Sequence, residues 1–345
     1  MKNFKGFLAT FTASIGMVLV LMTAAPVNAG DVVRWRLQTV DDPGLMEYKA
    51  IAVAFADRVK ELSQGRMEIK VFPPGGIVAS FEVWDGLRKG LFEMSQHYLV
   101  YWSGKEPGLK AAQEWPVMRD PLQGLIWLYQ GGGLEIQNNI LNKHGITYLG
   151  ATPMEGEQIW SKKPIRGIKD LKGLKMRAAG VAAGSFSALG AAVVTVPGGE
   201  IYQALERGVI DAAEFTFPTV NYGYGFHEVT KYLCVLPTYS GGGFYDWIAS
   251  SKAWKKLPDD LKEIVTASIN ETTLLYWLKV RLETQRVFKK LKEQGMEFIE
   301  WSPEDLATLE KKRLEVMQQY AASSPVFAKK YESMMKTLRE LGYKN

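Results

Sequence analysis

Arg177 is the side chain best suited to do chemistry in this chain of 345 residues. It ends the segment Lys175-Met-Arg177 and is followed by Gly180 and Gly184, a glycine-flanked turn into a helix expected to start near Ser185. A guanidinium in that place holds a carboxylate through two parallel hydrogen bonds, which the ammonium of a Lys does not reproduce. The start of the following helix would offer backbone N–H groups and a partial positive charge to the same anion. A surface or structural ion pair is the plainer role for such an Arg, and the residue alone does not decide between the two. Aromatic side chains are dense at Tyr98, Tyr101, Trp102, Phe215, Phe217, Tyr239, Tyr245 and Trp247. Part of that set belongs to the core, and the rest suits the apolar wall of a small-molecule pocket.

Catalytic chemistry finds little support. The histidines are His97, His144 and His227, with no H-E-x-x-H spacing among them. G-x-S-x-G, G-x-x-x-x-G-K-[ST] and a strand-borne G-x-G-x-x-G are all absent. Gly131-Gly132-Gly133 lacks the Lys-Ser/Thr of a phosphate loop and reads as a helix break or a place of close backbone packing. Lys and Arg are interspersed with Asp and Glu along helices, so the net charge of +5 describes a solvated surface. Nucleic acid as a partner would need a concentrated basic stripe.

The elements that must position these residues show a repeat. Glu82-Val-Trp-Asp-Gly-Leu-Arg-Lys-Gly-Leu-Phe-Glu-Met-Ser95 matches residues 200–213 at a constant offset, with Glu, Leu and Gly coinciding at 82/200, 87/205 and 90/208. Each copy reads as a short helix stopped by Gly and followed by an apolar strand. Such units are common in α/β chains, but one in each half suggests two lobes with a cleft between them. The copies end at Gln96 and His97 and at Glu214 and Phe215, where a site would lie.

Around the repeat, strands are expected at 32–40, 67–72, 146–150 and 191–196, and helices over 48–65, 121–144 and 259–294, with a capping box at Ser302-Pro-Glu-Asp305. Strand and helix alternate, which argues α/β with crossover connections. Lys2, Lys5, the apolar run 7–25 and Val27-Asn-Ala29 read as a secretory signal peptide cut after Ala29. Cys234, the one cysteine, excludes an intramolecular disulfide and reads as a small buried residue.

The run Ile168-Lys-Asp-Leu-Lys-Gly-Leu-Lys-Met-Arg177 and the segment Val196-Pro-Gly-Gly-Glu-Ile-Tyr-Gln-Ala-Leu-Glu-Arg-Gly-Val-Ile-Asp-Ala-Ala-Glu214 resemble the extracytoplasmic solute-binding subunits of tripartite ATP-independent periplasmic (TRAP) transporters. The resemblance is to the DctP-type receptors, especially the subgroup associated with 2-oxo acids. The resemblance extends to Trp35, Ser63-Gln-Gly-Arg66, Gly131-Gly-Gly-Leu134, Ser251-Lys-Ala-Trp254 and Pro325-Val-Phe-Ala-Lys-Lys-Tyr331. It implies an α/β two-lobed periplasmic binding protein with a hinge cleft and long C-terminal helices. Lobe 1 would span 30–151 and lobe 2 152–238, with 239–345 returning to both and forming those helices.

The implied function is capture of a small organic acid, a 2-oxo or 2-hydroxy monocarboxylate with room for an aromatic or branched side chain, and delivery to the small and large TRAP membrane subunits. A receptor for a chemosensor and a secreted enzyme acting on organic acids are the alternatives. The resemblance places the substrate carboxylate on Arg177. In the 2-oxo acid subgroup a sodium or calcium ion bridges protein and substrate, held by a Gln, a Glu-Trp pair and a second acid. Glu214 matches the Glu, Phe215 replaces the Trp and Ser240 stands where the second acid would be. Gln158 matches the Gln, with Glu155 or Glu157 as substitutes in another register. Asn221 is a further polar candidate, and a homodimer through the apolar stretch 274–282 is implied as well.

Overall fold

The protein's structure, a computed structural model, describes residues 32–111, 120–236 and 243–343, all within one unit, Val32–Asn345. The expected leader, Tyr239 and Ser240 lie outside the described residues. Strand β1 (Val33–Thr39) leads through a π-helical stretch, Tyr48–Val53, into helix α1 (Ala54–Leu62) and strand β2 (Met67–Phe72). Helix α2 (Val83–Lys89) and strand β3 (Met94–His97) follow. β1 pairs in parallel with both β2 and β3, as crossover connections require.

Two helices, α3 (Pro121–Gln130) and α4 (Gly133–Leu141), occupy the helical stretch expected over 121–144. The break falls at Gly131 and Gly132, where Gly132 has φ +79° and α3 abuts Thr337 so closely that only a Gly fits at 131. Strand β4 (Ile146–Pro153) is longer than expected and stays paired to its last residue, Pro153 opposite Phe244. The chain therefore leaves the first sheet after Pro153.

Strands β5 (Ile159–Ser161) and β6 (Lys175–Arg177) begin a second sheet. Helix α5 (Gly180–Ala188) starts five residues earlier than the expected Ser185. Ser185 instead sits inside it, buried, with its hydroxyl donating to the Val181 carbonyl at 2.7 Å. Strand β7 (Ala192–Val194), helix α6 (Ile201–Glu206), strand β8 (Ala212–Glu214), helices α7 (Pro218–Gly223) and α8 (Phe226–Val229) and strand β9 (Tyr232–Val235) complete this portion.

The chain then returns. Strand β10 (Phe244–Ser250) inserts antiparallel between β3 and β4. Helix α9 (Ser251–Lys256) leads to α10 (Asp259–Glu293), and strand β11 (Glu297–Glu300) adds to β9 of the second sheet. The sheet orders are β2-β1-β3-β10-β4 and β11-β9-β5-β8-β6-β7. At 35 residues α10 is about 50 Å long. Asp259 and Asp260 in its first turn and Lys290 and Lys292 in its last complement the helix dipole. Helix α11 (Pro303–Ser323) begins at the expected capping box, where Ser302 Oγ accepts the Asp305 N–H at 3.1 Å. Ser324 starts helix α12 (Pro325–Glu340) in the same way, accepting the Phe327 N–H at 3.3 Å.

The two copies of the repeat fold alike. Each opens with a 3-10 turn, Ser80–Glu82 or Gly198–Glu200, runs into α2 or α6 and stops at Gly90 or Gly208, both at φ +71°. The closing bonds also correspond: Leu91 N–H to Gly86 O and Val209 N–H to Ala204 O. One hydrophobic cluster gathers Leu37, Met94 and Trp247 of the first sheet, Trp160, Ala213 and Leu233 of the second and Val265, Ile269 and Tyr276 of α10. The repeat thus brings β3 and β8 into equivalent places, with their C-terminal ends available for a site.

Candidate functional site

The ends of β3, β6 and β8 and the β4–β5 connection enclose a small cavity of ≈ 20 Å³. Tyr98, Val100 and Tyr101 line it from the segment after β3, and Met154 and Glu157 from the connection. Arg177 and Ala179 come from the end of β6, and Glu214, Phe215 and Thr216 from the end of β8. Tyr98 and Tyr101 share a face because Tyr98 caps a 3-10 turn, Leu99–Trp102, that contains Tyr101, and residues three apart eclipse in it.

Arg177 is buried and held by main-chain carbonyls. Its Nε donates to Val196 O at 3.2 Å and its Nη1 to Glu214 O at 2.7 Å. The guanidinium also lies 4.7 Å from the centre of the Phe215 ring, a favourable cation–π contact. Phe215 packs directly on Gly198, where any Cβ would collide with the ring. Its edge meets Tyr98 at 6.0 Å and 89°.

The Glu214 carboxyl is 3% exposed and Oε2 lies 4.0 Å from Arg177 Nη1. Burial raises its pKa, while a hydrogen bond with the Glu157 carboxyl, the charges of Arg177 and Arg313 and the Ala179 N–H pull it back down. Arg313 reaches this neighbourhood from α11, itself 1% exposed. Glu157 is 6% exposed. Two carboxyl groups within hydrogen-bond reach in a dry site share a proton unless a cation balances their charge. Burial likewise raises the pKa of the Tyr98 and Tyr101 hydroxyls, which remain neutral donors.

Arg177, Glu214, Phe215, Tyr98 and Tyr101 meet at this cavity, and three other sequence candidates do not. Gln158 faces away: its Oε1 accepts the Leu236 N–H at 3.2 Å and its Nε2 donates to Gly156 O at 3.2 Å, tying β5 to the end of β9. Its neighbour Glu157 lines the cavity instead. Trp102 lies one position past the eclipsed pair and turns into the core, with Nε1 donating to Phe81 O at 3.0 Å. Asn221 braces the β8–α7 link, donating to Thr216 O at 2.8 Å and accepting from Thr216 Oγ1 at 3.2 Å. Ser240 lies outside the described residues, and Phe217, Tyr245 and Trp247 are core. The expected helix N-terminus is present, but its Ala179 N–H serves Glu214. Met154, Thr216 and Arg313 carry no sequence signal that separates them from ordinary core or surface positions.

A profile of the bacterial extracellular solute-binding proteins, family 7 (DctP), matches residues 38–324. The monocarboxylate 2-oxoacid-binding periplasmic protein of Nostoc sp. is 32% identical over 330 residues, which is 94% of this chain and 90% of the relative. A solved TRAP periplasmic solute-binding protein from Pseudoalteromonas atlantica, with bound sodium and pyruvate, has a TM-score of 0.84 at 25% identity, covering 90% of this chain and 94% of its own. A second, from Bordetella bronchiseptica, is described as a mixed-occupancy dimer with copurified calcium and picolinate. It has a TM-score of 0.82 at 26% identity and covers 90% and 92% of the two chains.

Proposed function

Because the chain belongs to the DctP family, the bacterial extracellular solute-binding proteins of family 7, we propose that it captures a small 2-oxo or 2-hydroxy monocarboxylate in the periplasm and delivers it unchanged to the small and large membrane subunits of a TRAP transporter. The observation that carries this reading is Arg177, buried at the cavity wall and oriented by two carbonyls, with the Glu214 carboxyl at 4.0 Å rather than in hydrogen-bond contact. A ligand carboxylate on Arg177 would be flanked by Tyr98, Tyr101 and Phe215.

The residues present also fit a hard cation beside the ligand. Among the described residues no three His, Cys, Asp or Glu side chains meet, but Glu157 and Glu214 form a buried carboxyl pair. Oxygen donors of this kind suit sodium or calcium. Glu157 thus supplies the second acid that Ser240 lacks. When bound, such an ion would add an electrostatic hold on the ligand's carboxylate and its neighbouring oxygen. Tyr98 and Tyr101 would donate or pack from the opposite wall, and Arg177 would orient the carboxylate.

The two sheets serve in this reading as the two lobes, with the β4–β5 and β9–β10 connections and α10 as the crossings. Closure by hinge motion would exclude water and strengthen the Arg177–carboxylate pair. The leader would be cut after Ala29, leaving a periplasmic receptor. Leu274, Leu275, Leu278 and Leu282 are 54–61% exposed along one stretch of α10, and we assign them to a homodimer contact.

Calorimetric titration with pyruvate, lactate and picolinate, each with calcium, with sodium and with chelator, tests the reading. Pyruvate or lactate should bind, more tightly with a cation, and be recovered intact. Absence of binding by every acid, or turnover of a bound one, would refute it.

A further inference from the structure

Asp246 lies within β10, fully buried, opposite His97 in the β10–β3 pairing. Its Oδ2 accepts the Leu99 N–H at 3.1 Å and its Oδ1 accepts the Tyr148 hydroxyl at 2.8 Å. Leu99 is the first residue of the 3-10 turn that follows Tyr98 and contains Tyr101. The first N–H groups of such a turn have no partner inside it and need one from elsewhere. One residue earlier, the Tyr98 N–H is taken by His97 Nδ1 at 2.8 Å. Two side chains therefore fix the start of the turn that shows both tyrosines to the cavity, and one of them is an acid.

A buried carboxylate needs an opposite charge close by. Lys330 of α12 is the cation whose charge acts on it, without a direct ion-pair contact. The Lys330 side chain is buried too, donates to Gly108 O at 3.3 Å and lies 5.8 Å from the centre of the Trp127 ring. Burial raises the Asp246 pKa to about 7, against the pull of the Leu99 N–H, Tyr148 and Lys330. Burial lowers that of Lys330 to about 8, against the attraction of Asp246 and Glu106. Glu106 in turn accepts the Gly108 N–H at 2.9 Å and pairs with His144 Nε2 at 2.9 Å.

We propose that Asp246 is a positioning residue for ligand binding: backed by Lys330 of the C-terminal helix, its carboxylate anchors the turn that directs Tyr98 and Tyr101 into the cavity. The proposal rests on the ligand reading given above. Neither residue lines the cavity, so both act on the ligand only through the turn.

Pyruvate titrations in the presence of calcium, on the full mature chain and well below each variant's melting temperature, provide the test. Asp246→Ala, which leaves the Leu99 N–H without its acceptor, should weaken pyruvate about tenfold. Lys330→Met alone, which leaves the buried acid without its cation, should also weaken it. The double variant Asp246→Asn with Lys330→Met keeps an acceptor for Leu99 and removes both charges. It should recover affinity to within about threefold of wild type, since coupled residues are not additive. Lower melting temperatures with pyruvate affinity unchanged in Lys330→Met would overturn the proposal, as would a double variant no better than Asp246→Ala. Wild-type protein that binds none of the acids would refute the ligand reading and this proposal with it, whereas wild-type binding with unaffected variants refutes this proposal alone.

Discussion

Arg177 Nη1 donates to the main-chain carbonyl of Glu214 at 2.7 Å, while the side-chain Oε2 of the same Glu214 stays 4.0 Å from that nitrogen. The arginine is aimed by the backbone of β8, and the carboxylate keeps its capacity toward Glu157 and the cavity. One residue thus does two jobs, with its main chain orienting the cation and its side chain contributing to the anionic pair.

Arg177→Ala should abolish stabilisation by pyruvate, because a ligand carboxylate would then lose the guanidinium that holds it beside two acids. The loss of affinity should be roughly 100-fold or more, the usual cost of removing one partner from a buried charge pair. Arg177→Lys should rescue little of it, since the two-bond fork is lost. A thermal shift with pyruvate that is unchanged in Arg177→Ala would contradict the site.

Glu157 and Gln158 separate the two registers. Glu157→Gln should weaken pyruvate binding and reduce its dependence on added calcium. Gln158→Ala should leave affinity nearly unchanged and lower stability by about 1 kcal/mol, because the Leu236 N–H loses its acceptor. Titration and denaturant unfolding of the pair check this, and the reverse pattern would restore Gln158 to the site.

Gly198→Ala should disturb binding from beneath the ligand. The new Cβ would displace the Phe215 ring from under the Arg177 guanidinium. Overpacking of this kind costs about 1–3 kcal/mol of stability. Affinity for pyruvate should fall severalfold alongside, and Phe215→Leu in the same background should recover part of the stability.

Stability of the ligand-free protein should fall as pH rises from about 5 to 8. Burial raises the carboxyls of Asp41, Glu47 and Asp246 above their ordinary range, that of Asp246 to about 7. A carboxyl with a raised folded pKa contributes fully below its unfolded value and loses that contribution as pH passes the folded one. Lys330, lowered to about 8, acts in the opposite sense, stability returning as pH climbs from there toward its ordinary value of 10.5. Melting curves across this range, with Asp246→Asn flattening the step near pH 7, measure the effect. A melting temperature that climbs between pH 5 and 8 would contradict it.

Leu278→Glu should convert a dimer to a monomer at micromolar concentration while leaving pyruvate affinity intact. Leu278 is 61% exposed, and a carboxylate there would be buried without a partner in an apolar contact. Sedimentation velocity of wild type and variant decides it, and a monomeric wild type would remove the dimer.

Much of the architecture was legible because it depends on local chemistry. The stops at Gly90 and Gly208, the caps at Ser302 and the span of α10 follow from residue types within a turn or two of each other. Arg177 and Glu214 were readable for a related reason, since each ends a strand that the repeat or its flanking glycines marks out. The break between α3 and α4 was half-visible: the glycines were plain, but the contact with Thr337 that demands them comes from the far end of the chain.

The sequence by itself determined an α/β chain with a duplicated helix–Gly–strand unit, long C-terminal helices and an arginine at a strand end. Which neighbours share the cavity was decided only by the tertiary structure. Glu157 and Gln158 differ by one position, and their facing depends on how the β4–β5 connection crosses between the sheets. Trp102 and Tyr101 likewise part company because a 3-10 turn eclipses every third side chain. Arg313 and Lys330 reach their acids from helices more than eighty residues away, distances over which composition and spacing carry no information about contact.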